Sequence, residues 1–400
     1  MDITKEPAKL KALIAQCDTV VNLAAICNPS EYIKQPVNTI RSNYNDAQAR
    51  AHLSTRTAAE TDSGESGEWG EVSRASAGEG RGDACTFPAA SGRRAVGRVA
   101  GEARGADTPA ARAAHGRDTG ATASPRCPSQ DCIEFCVEHK KHLVHFSTCE
   151  VYGRTLSSYG LPVADEKNFI LDEETTPMIM GPVSAQRWCY ACAKQLVERM
   201  IYAHGTEHDL KFTIIRPYNW IGPRMDYIPG VDGSDDGQPR VLASFMTALM
   251  KEQPLVLVDG GEVYRTFCAV EDACECIMRV IEHPDKSVGH TFNVGNPNNN
   301  IQVKALADLM IKLYTKLTGK PEGTVQTVSG LEYYGKGYED SDLRIPSMRL
   351  VKQQLDWAPK TSLAVAMEAT MKVFIEKYAD KLAGLKRASD AAAPATKRAK

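Results

Sequence analysis

Three features of the 400-residue sequence predict an α/β fold, a doubly wound parallel sheet that carries a smaller C-terminal domain. The first is a set of compact, β-branched and apolar runs: TVVNLAAI (19–26), KHLVHFST (141–148), FTIIRPYN (212–219) and HTFNVGNP (290–297). Such runs read as buried parallel strands. The second is the helical patterning between them, at spacings that suit right-handed strand–helix–strand crossovers. The third is a later block of helical patterns, which predicts the second domain.

In chain order, PAKLKALIAQ (7–16) reads as a helix leading into the first strand, and QDCIEFCVEHKK (130–141) as the helix before the second. The long pattern SAQRWCYACAKQLVERMIYAHG (184–205) precedes the third. RVLASFMTALMKE (240–252), AVEDACECIMRVIEH (269–283) and VKALADLMIKLYTKL (303–317) are the later helices. The sheet domain is therefore expected over 1–50 and 130–220, with 290–297 returning to it, and the second domain over 221–375.

Composition excludes several classes. A hydrophobic content of 42%, charged content of 24% and net charge of −2 suit a soluble globular enzyme and give no basic field for nucleic acid or anionic membrane. The N-terminal MDITKEPAKLK has no apolar signal core, and no apolar run is long enough to span a bilayer. Twelve cysteines without a secretory signal read as reduced thiols in a cytoplasmic protein. Cys189 and Cys192 form a Cys-x-x-Cys, but no second cysteine pair stands at zinc-site spacing. Small side chains packed on a helix account for them better than a metal or dithiol role, so no metal site is expected.

Residues 51–129 break the pattern. Between Leu53 and Ile133 there is no Leu, Ile, Met or Tyr, and every basic side chain except His115 is arginine. A segment of this kind buries too little apolar surface to offset ordering entropy and is expected to be disordered. Its Ala, Gly and Arg bias also matches translated GC-rich non-coding DNA, so a retained intron and a genuine insertion stand as alternative origins. The basic end KRASDAAAPATKRAK lies in a tail, 376–400, expected to be disordered. Its two basic clusters have bipartite nuclear-signal spacing, although a solvated tail is the simpler reading.

Tyr190 and Lys194 are four residues apart on the long predicted helix and so share one face. A free phenol has a pKa of about 10, and an ammonium one turn away favours the phenolate. That phenolate could remove a hydroxyl proton while hydride leaves for a nicotinamide. Upstream stands HFSTCEVYG, which puts Thr148 at the carboxyl end of a strand, where open α/β sheets bind ligands.

From NLAAICNPSEY (22–32) onward the chain resembles the extended short-chain dehydrogenase/reductases, the NAD-dependent epimerase/dehydratases. The matching stretches include SNYNDA, HLVHFSTCEVYG, QRWCYACAKQLVER, VDGGEVYRTF and FNVGNPNNN. RPYNWIGPRMD and GKGYEDSDLRIP point to the branch that oxidatively decarboxylates UDP-glucuronate. The cysteines in NLAAIC and STCE tilt it toward the members that make UDP-apiose and UDP-xylose. Insert and tail aside, the resemblance covers nearly all of residues 2–375. It implies a Rossmann-type fold, bound NAD, UDP-glucuronate as substrate, and a homodimer formed through the Tyr190 helix.

The resemblance also assigns roles. Tyr190, Lys194 and Thr148 act at the oxidised hydroxyl, and Glu150 and Arg344 surround the carboxylate that leaves as carbon dioxide. Glu150 beside an anionic sugar is expected to have a raised pKa. Cys149 and Cys27 handle protons during ring contraction, against the plain alternative of two small buried side chains. Asp340 positions Arg344 or the sugar. Arg187, Arg240 and Arg265, with Asn219, Tyr338 and Arg344, bind the UDP-sugar. Leu23, Ala24, Ala25, Asn43 and Pro217 join Tyr190 and Lys194 at the cofactor. Asp2 and Ile3 match an adenine-contacting pair, and the glycine-rich phosphate loop expected ahead of them is not in the sequence. The chain as written is therefore expected to bind NAD poorly and fold poorly, and a gene model with a late start would explain this. Two alternatives remain: a decarboxylase making only UDP-xylose or the 4-keto pentose, and a non-catalytic nucleotide-sugar binder.

Overall fold

The computed structural model describes residues 6–23, 35–43, 128–231, 239–335, 339 and 341–392. Its centre is a four-stranded, wholly parallel sheet of Thr19–Asn22, His142–Phe146, Phe212–Pro217 and His290–Val294. Spatial order follows chain order. The register pairs Val21 with Val144, Val144 with Thr213, and Ile215 with Phe292.

Side chains alternate across a strand, so the apolar runs feed two cores at once. Leu143 and Ile214 face one side, packing with Leu10, Ile133, Val197 and Ile201 from helices Pro7–Ala15, Pro128–Glu138 and Cys189–His208. Val144 and Ile215 face the other, against Ala273, Val280, Leu350 and Trp357. Helices Val270–Glu282 and Arg349–Leu355 supply that cover. A third core holds the later helices: Leu242, Phe245 and Met246 meet Leu306, Met310, Met367 and Phe374.

Several expectations are corrected. The first strand ends at Asn22, not Ile26; Leu23 is outside it and 65% exposed, while 24–26 lie outside the described residues. The helix Pro36–Asn43 was not anticipated. Of the 51–129 stretch only 128 and 129 are described, and there a helix begins. The tail does not become irregular at 376, because one helix runs Leu363–Ala392. Phe374 and Tyr378 are four residues apart and extend its apolar face into the third core, leaving Tyr378 1% exposed. Lys377 and Lys381 lie over the Tyr378 ring at 4.5 and 5.6 Å. Basic composition disguised a packed helix. The basic residues after Ala392 lie outside the described residues. The described residues form one body, with no division at 220.

One buried ion pair fastens the Tyr190 helix to the third sheet strand. Arg216 donates from Nε to Glu198 Oε1 at 3.1 Å and from Nη2 to Oε2 at 2.7 Å, with both side chains at most 5% exposed. The same guanidinium stacks 4.7 Å from the Tyr152 ring. Removing one partner strands a buried charge, so Glu198→Ala should lower unfolding free energy by about 3–5 kcal/mol. Chemical denaturation monitored by circular dichroism measures the loss.

Candidate active site

The second strand stops at Phe146, and Ser147 N–H still donates to Ile215 O at 2.8 Å, so the chain leaves the sheet at its carboxyl edge. Thr148 then caps a short turn, Cys149–Tyr152: its Oγ1 accepts the Glu150 N–H at 3.2 Å. Gly153 ends the turn at φ 70°, where a Cβ would collide with the carbonyl oxygen of Ile179. Only glycine fits that position. The stretch HFSTCEVYG is thus a strand, a capped turn and a glycine stop. It carries Thr148, Cys149 and Glu150 onto the wall of a cleft of about 510 Å³.

The Tyr190 helix supplies the opposing chemistry. Tyr190 lines the cleft and is 2% exposed. Lys194, one turn on, is 1% exposed and donates from Nζ to Phe146 O at 2.9 Å, which fixes the ammonium to the end of the strand. Lys194 does not itself line the cleft. Burial of the neighbouring His145 imidazole, and after it the Lys194 charge, holds that ring well below its ordinary pKa.

Cations gather around the space. Arg187, Arg240, Arg265 and Arg344 all line it, as do Pro217 and Asn219. Arg187 reaches Glu150 Oε2 at 2.7 Å, with side-chain exposures of 4% and 16%. Glu150, expected with Arg344 around the leaving carboxylate, is thus paired with Arg187. Arg240 holds Asp226 at 3.0 Å on the rim. Arg265 donates to Tyr264 O at 2.7 Å, and the Arg344 carbonyl accepts from Thr266 Oγ1 at the same distance. Asn219 sits at φ 28° and donates from Nδ2 to Thr266 O at 2.8 Å; asparagine tolerates positive φ better than most residues.

Other expected residues are placed elsewhere. Leu23 is exposed, and Asn43 is fully buried with Nδ2 bonded to Thr39 O at 2.9 Å; neither lines the cleft. Asp2, Ile3, Ala24, Ala25, Cys27, Tyr338 and Asp340 lie outside the described residues. Cys189 packs with Tyr190, whereas Cys192 is exposed with Sγ 3.0 Å from Met180 Sδ. Sequence reasoning missed Ser147, Tyr218 and the pair Tyr333–Tyr334, all on the cleft wall. The strand-end rule that selected Thr148 would have selected Tyr218 from FTIIRPYN as well.

Behind the wall, Glu173 Oε1 accepts the Asn293 N–H at 2.7 Å. Burial, the main cause, pushes its carboxyl up from 4.5 to about 7, against the backbone hydrogen bonds that favour the charged form. A folded-state value raised in this way stabilises the protein fully below pH 4.5 and ceases to do so as pH rises through 7. The contribution is on the order of 3 kcal/mol. Glu173→Gln should remove it, so the variant's melting temperature should fall less than the wild type's between pH 5 and pH 8. Thermal melts at the two pH values measure the difference.

The profile of the NAD dependent epimerase/dehydratase family matches residues 129–295. UDP-D-apiose/UDP-D-xylose synthase 1 of Arabidopsis thaliana is 38% identical over 384 residues, covering 94% of this chain and 77% of that protein. UDP-D-apiose/UDP-D-xylose synthase of Oryza sativa subsp. japonica is 38% identical over 373 residues, covering 92% and 73%. Among solved structures, PbgP3 protein from Burkholderia pseudomallei superimposes with a TM-score of 0.61 at 26% identity, covering 95% of this chain and 83% of that one. A parallel sheet, a Tyr-x-x-x-Lys helix beside its carboxyl edge and these similarities agree: the chain belongs to the NAD dependent epimerase/dehydratase family.

Proposed function

We propose that the cleft takes UDP-glucuronate and, with NAD, decarboxylates it to UDP-apiose and UDP-xylose. The observation that carries this reading is the meeting of Tyr190, Thr148, Cys149 and Glu150 with four arginines in one cleft. Arginine forks suit a diphosphate and a carboxylate, the two anionic parts of such a substrate. The similarity to the two plant synthases supports the same substrate and products.

The residues fit the nicotinamide end of the cofactor. Tyr190 and Pro217 stand on the wall at the carboxyl edge of the sheet, and Ser147 Oγ is buried there without a hydrogen-bond partner among the described residues. When bound there, NAD would supply a reversible hydride acceptor for carbon 4 of the sugar. Tyr190, as phenolate favoured by Lys194, takes the proton of the same hydroxyl. Thr148, whose Oγ1 already accepts one hydrogen bond, donates a hydrogen bond to that oxygen. The resulting ketone is β to the carboxylate, so carbon dioxide departs readily. Arg344 orients the carboxylate beforehand, and Glu150, held by Arg187, faces the protons that follow. Cys149, 8% exposed on the same turn, is placed to move a proton during the rearrangement of the carbon skeleton.

No helix among the described residues is long and apolar enough to cross a membrane. A cytoplasmic homodimer completes the reading. The dimer is supported by exposed apolar side chains on two adjacent helices, Leu196 and Tyr202 on one and Val37 and Ile40 on the other.

Incubation with UDP-glucuronate and NAD, followed by identification of the sugar nucleotides, tests the assignment. Branched and linear pentoses are both expected; linear pentose alone would reduce the activity to a UDP-xylose-forming decarboxylase. Tyr190→Phe should lower kcat by about 10²–10⁴-fold while UDP affinity, measured by calorimetry, stays unchanged.

A further inference from the structure

Two polar atoms behind the cleft wall are buried without a hydrogen-bond partner among the described residues, Tyr218 Oη and Glu173 Oε2. A buried polar atom is costly unless satisfied, so each such case calls for a water or a function. Tyr218 follows the third sheet strand and lines the cleft at 1% exposure. It packs in one cluster with Cys149 and Tyr152. Its seat is tight: its N–H donates to Val294 O at 3.0 Å, and a Cβ added to Gly295 would come within 2.8 Å of the Tyr218 Cβ.

Glu173 is anchored one residue earlier on the same strand, through Asn293 N–H. Asn293 Oδ1 in turn accepts the Tyr152 hydroxyl at 2.9 Å. The charged and titratable groups around Tyr218 are Tyr152, Cys149, Glu173 and Arg216. Those around Glu173 include Asp172 and Arg216. Tyr152 is engaged with Asn293, Arg216 with Glu198, and Asp172 with Arg349. Tyr218 and Glu173 are left with a donor and an acceptor still to place.

We propose that Tyr218 and Glu173, bridged by water, form a proton relay that ends at the Cys149 thiol in the cleft. The proposal rests on the catalytic reading of the cleft given above. Once Cys149 has given up its proton there, Tyr218 Oη sends its own proton through one water to the thiolate sulfur. In the same exchange it takes one, through a second water, from the Glu173 carboxyl. One S–H bond forms and one carboxyl O–H bond breaks, with the phenol and both waters restored. Concerted exchange suits this site, because burial holds the Tyr218 phenol well above its ordinary range and a lasting phenolate would be unfavourable. Glu173, pushed up to about 7, still carries a proton to give near neutrality.

The test compares wild type, Tyr218→Phe and Glu173→Gln in two ways. With UDP-glucuronate and NAD, wild-type kcat should fall as pH rises through about 7; both variants should lose about tenfold in kcat and lack that limb, with KM unchanged. A packing role would alter stability or KM and leave the limb in place, which would overturn the relay. Infrared difference titration of the protein without substrate should find a carboxyl band with its midpoint near 7, absent in Glu173→Gln and displaced in Tyr218→Phe. A band unmoved by loss of the Tyr218 hydroxyl overturns the connection, whatever the substrate. If wild type leaves UDP-glucuronate unchanged, the substrate assignment fails and the infrared titration alone decides the relay. Should Glu173→Gln not fold, Tyr218→Phe carries both readouts, since it removes one oxygen from a well-packed ring.

Discussion

The doubly bonded pair of Glu198 and Arg216 is the constraint on which the catalytic surface depends. A helix laid on a sheet can slide or roll at small cost where only apolar side chains meet. A bidentate ion pair cannot, because its geometry is planar and its desolvated charges tolerate no gap. Glu198 lies one turn beyond Lys194 and two beyond Tyr190, on the same helical face. Arg216 lies next to Pro217 and Tyr218 at the carboxyl edge of the sheet. Locking one to the other sets the phenol of Tyr190 against the strand ends to within a hydrogen bond's tolerance.

The rest of the cleft follows from that edge. Parallel strands all end on one side, so the loops after Phe146, Pro217 and Val294 converge there. Each is stiffened differently. The first is capped by Thr148 and stopped by Gly153, the second is held by Asn219 at an unusual φ, and the third is pressed against Tyr218 through Gly295. The arginines arrive from more distant parts of the chain. Arg265 and Arg344 meet through Thr266, and Arg187 enters just before the Tyr190 helix. Tyr190 and Thr148 thus stand at the edge of the sheet, while the arginines that share their cleft come from both before and after it in the chain.

Much of this was legible before folding. Apolar runs such as KHLVHFST and FTIIRPYN gave strands within a residue or two of those observed, because burial on both faces leaves a composition that nothing else mimics. The Tyr190–Lys194 spacing placed both on one face, as helical geometry requires. What escaped notice depended on partners distant in sequence. The Arg187–Glu150 bridge joins residues 37 apart, and the seat of Tyr218 depends on Gly295. The helix Leu363–Ala392 was mistaken at its end because its last turns run into a basic, alanine-rich tail, while Phe374 and Tyr378 mark its buried stripe only once the stripe is traced at four-residue intervals.

That last helix also alters how the C-terminal region should be regarded. Its ring pair, Phe374 and Tyr378, closes the same apolar interior that Leu242 and Met246 fill from just behind the cleft-lining Arg240. Drift in sequence there is therefore answerable to the shape of the cleft wall that carries Arg240. A tag or fusion partner joined ahead of Phe374 would unroof that interior even though every reacting group remained in the chain.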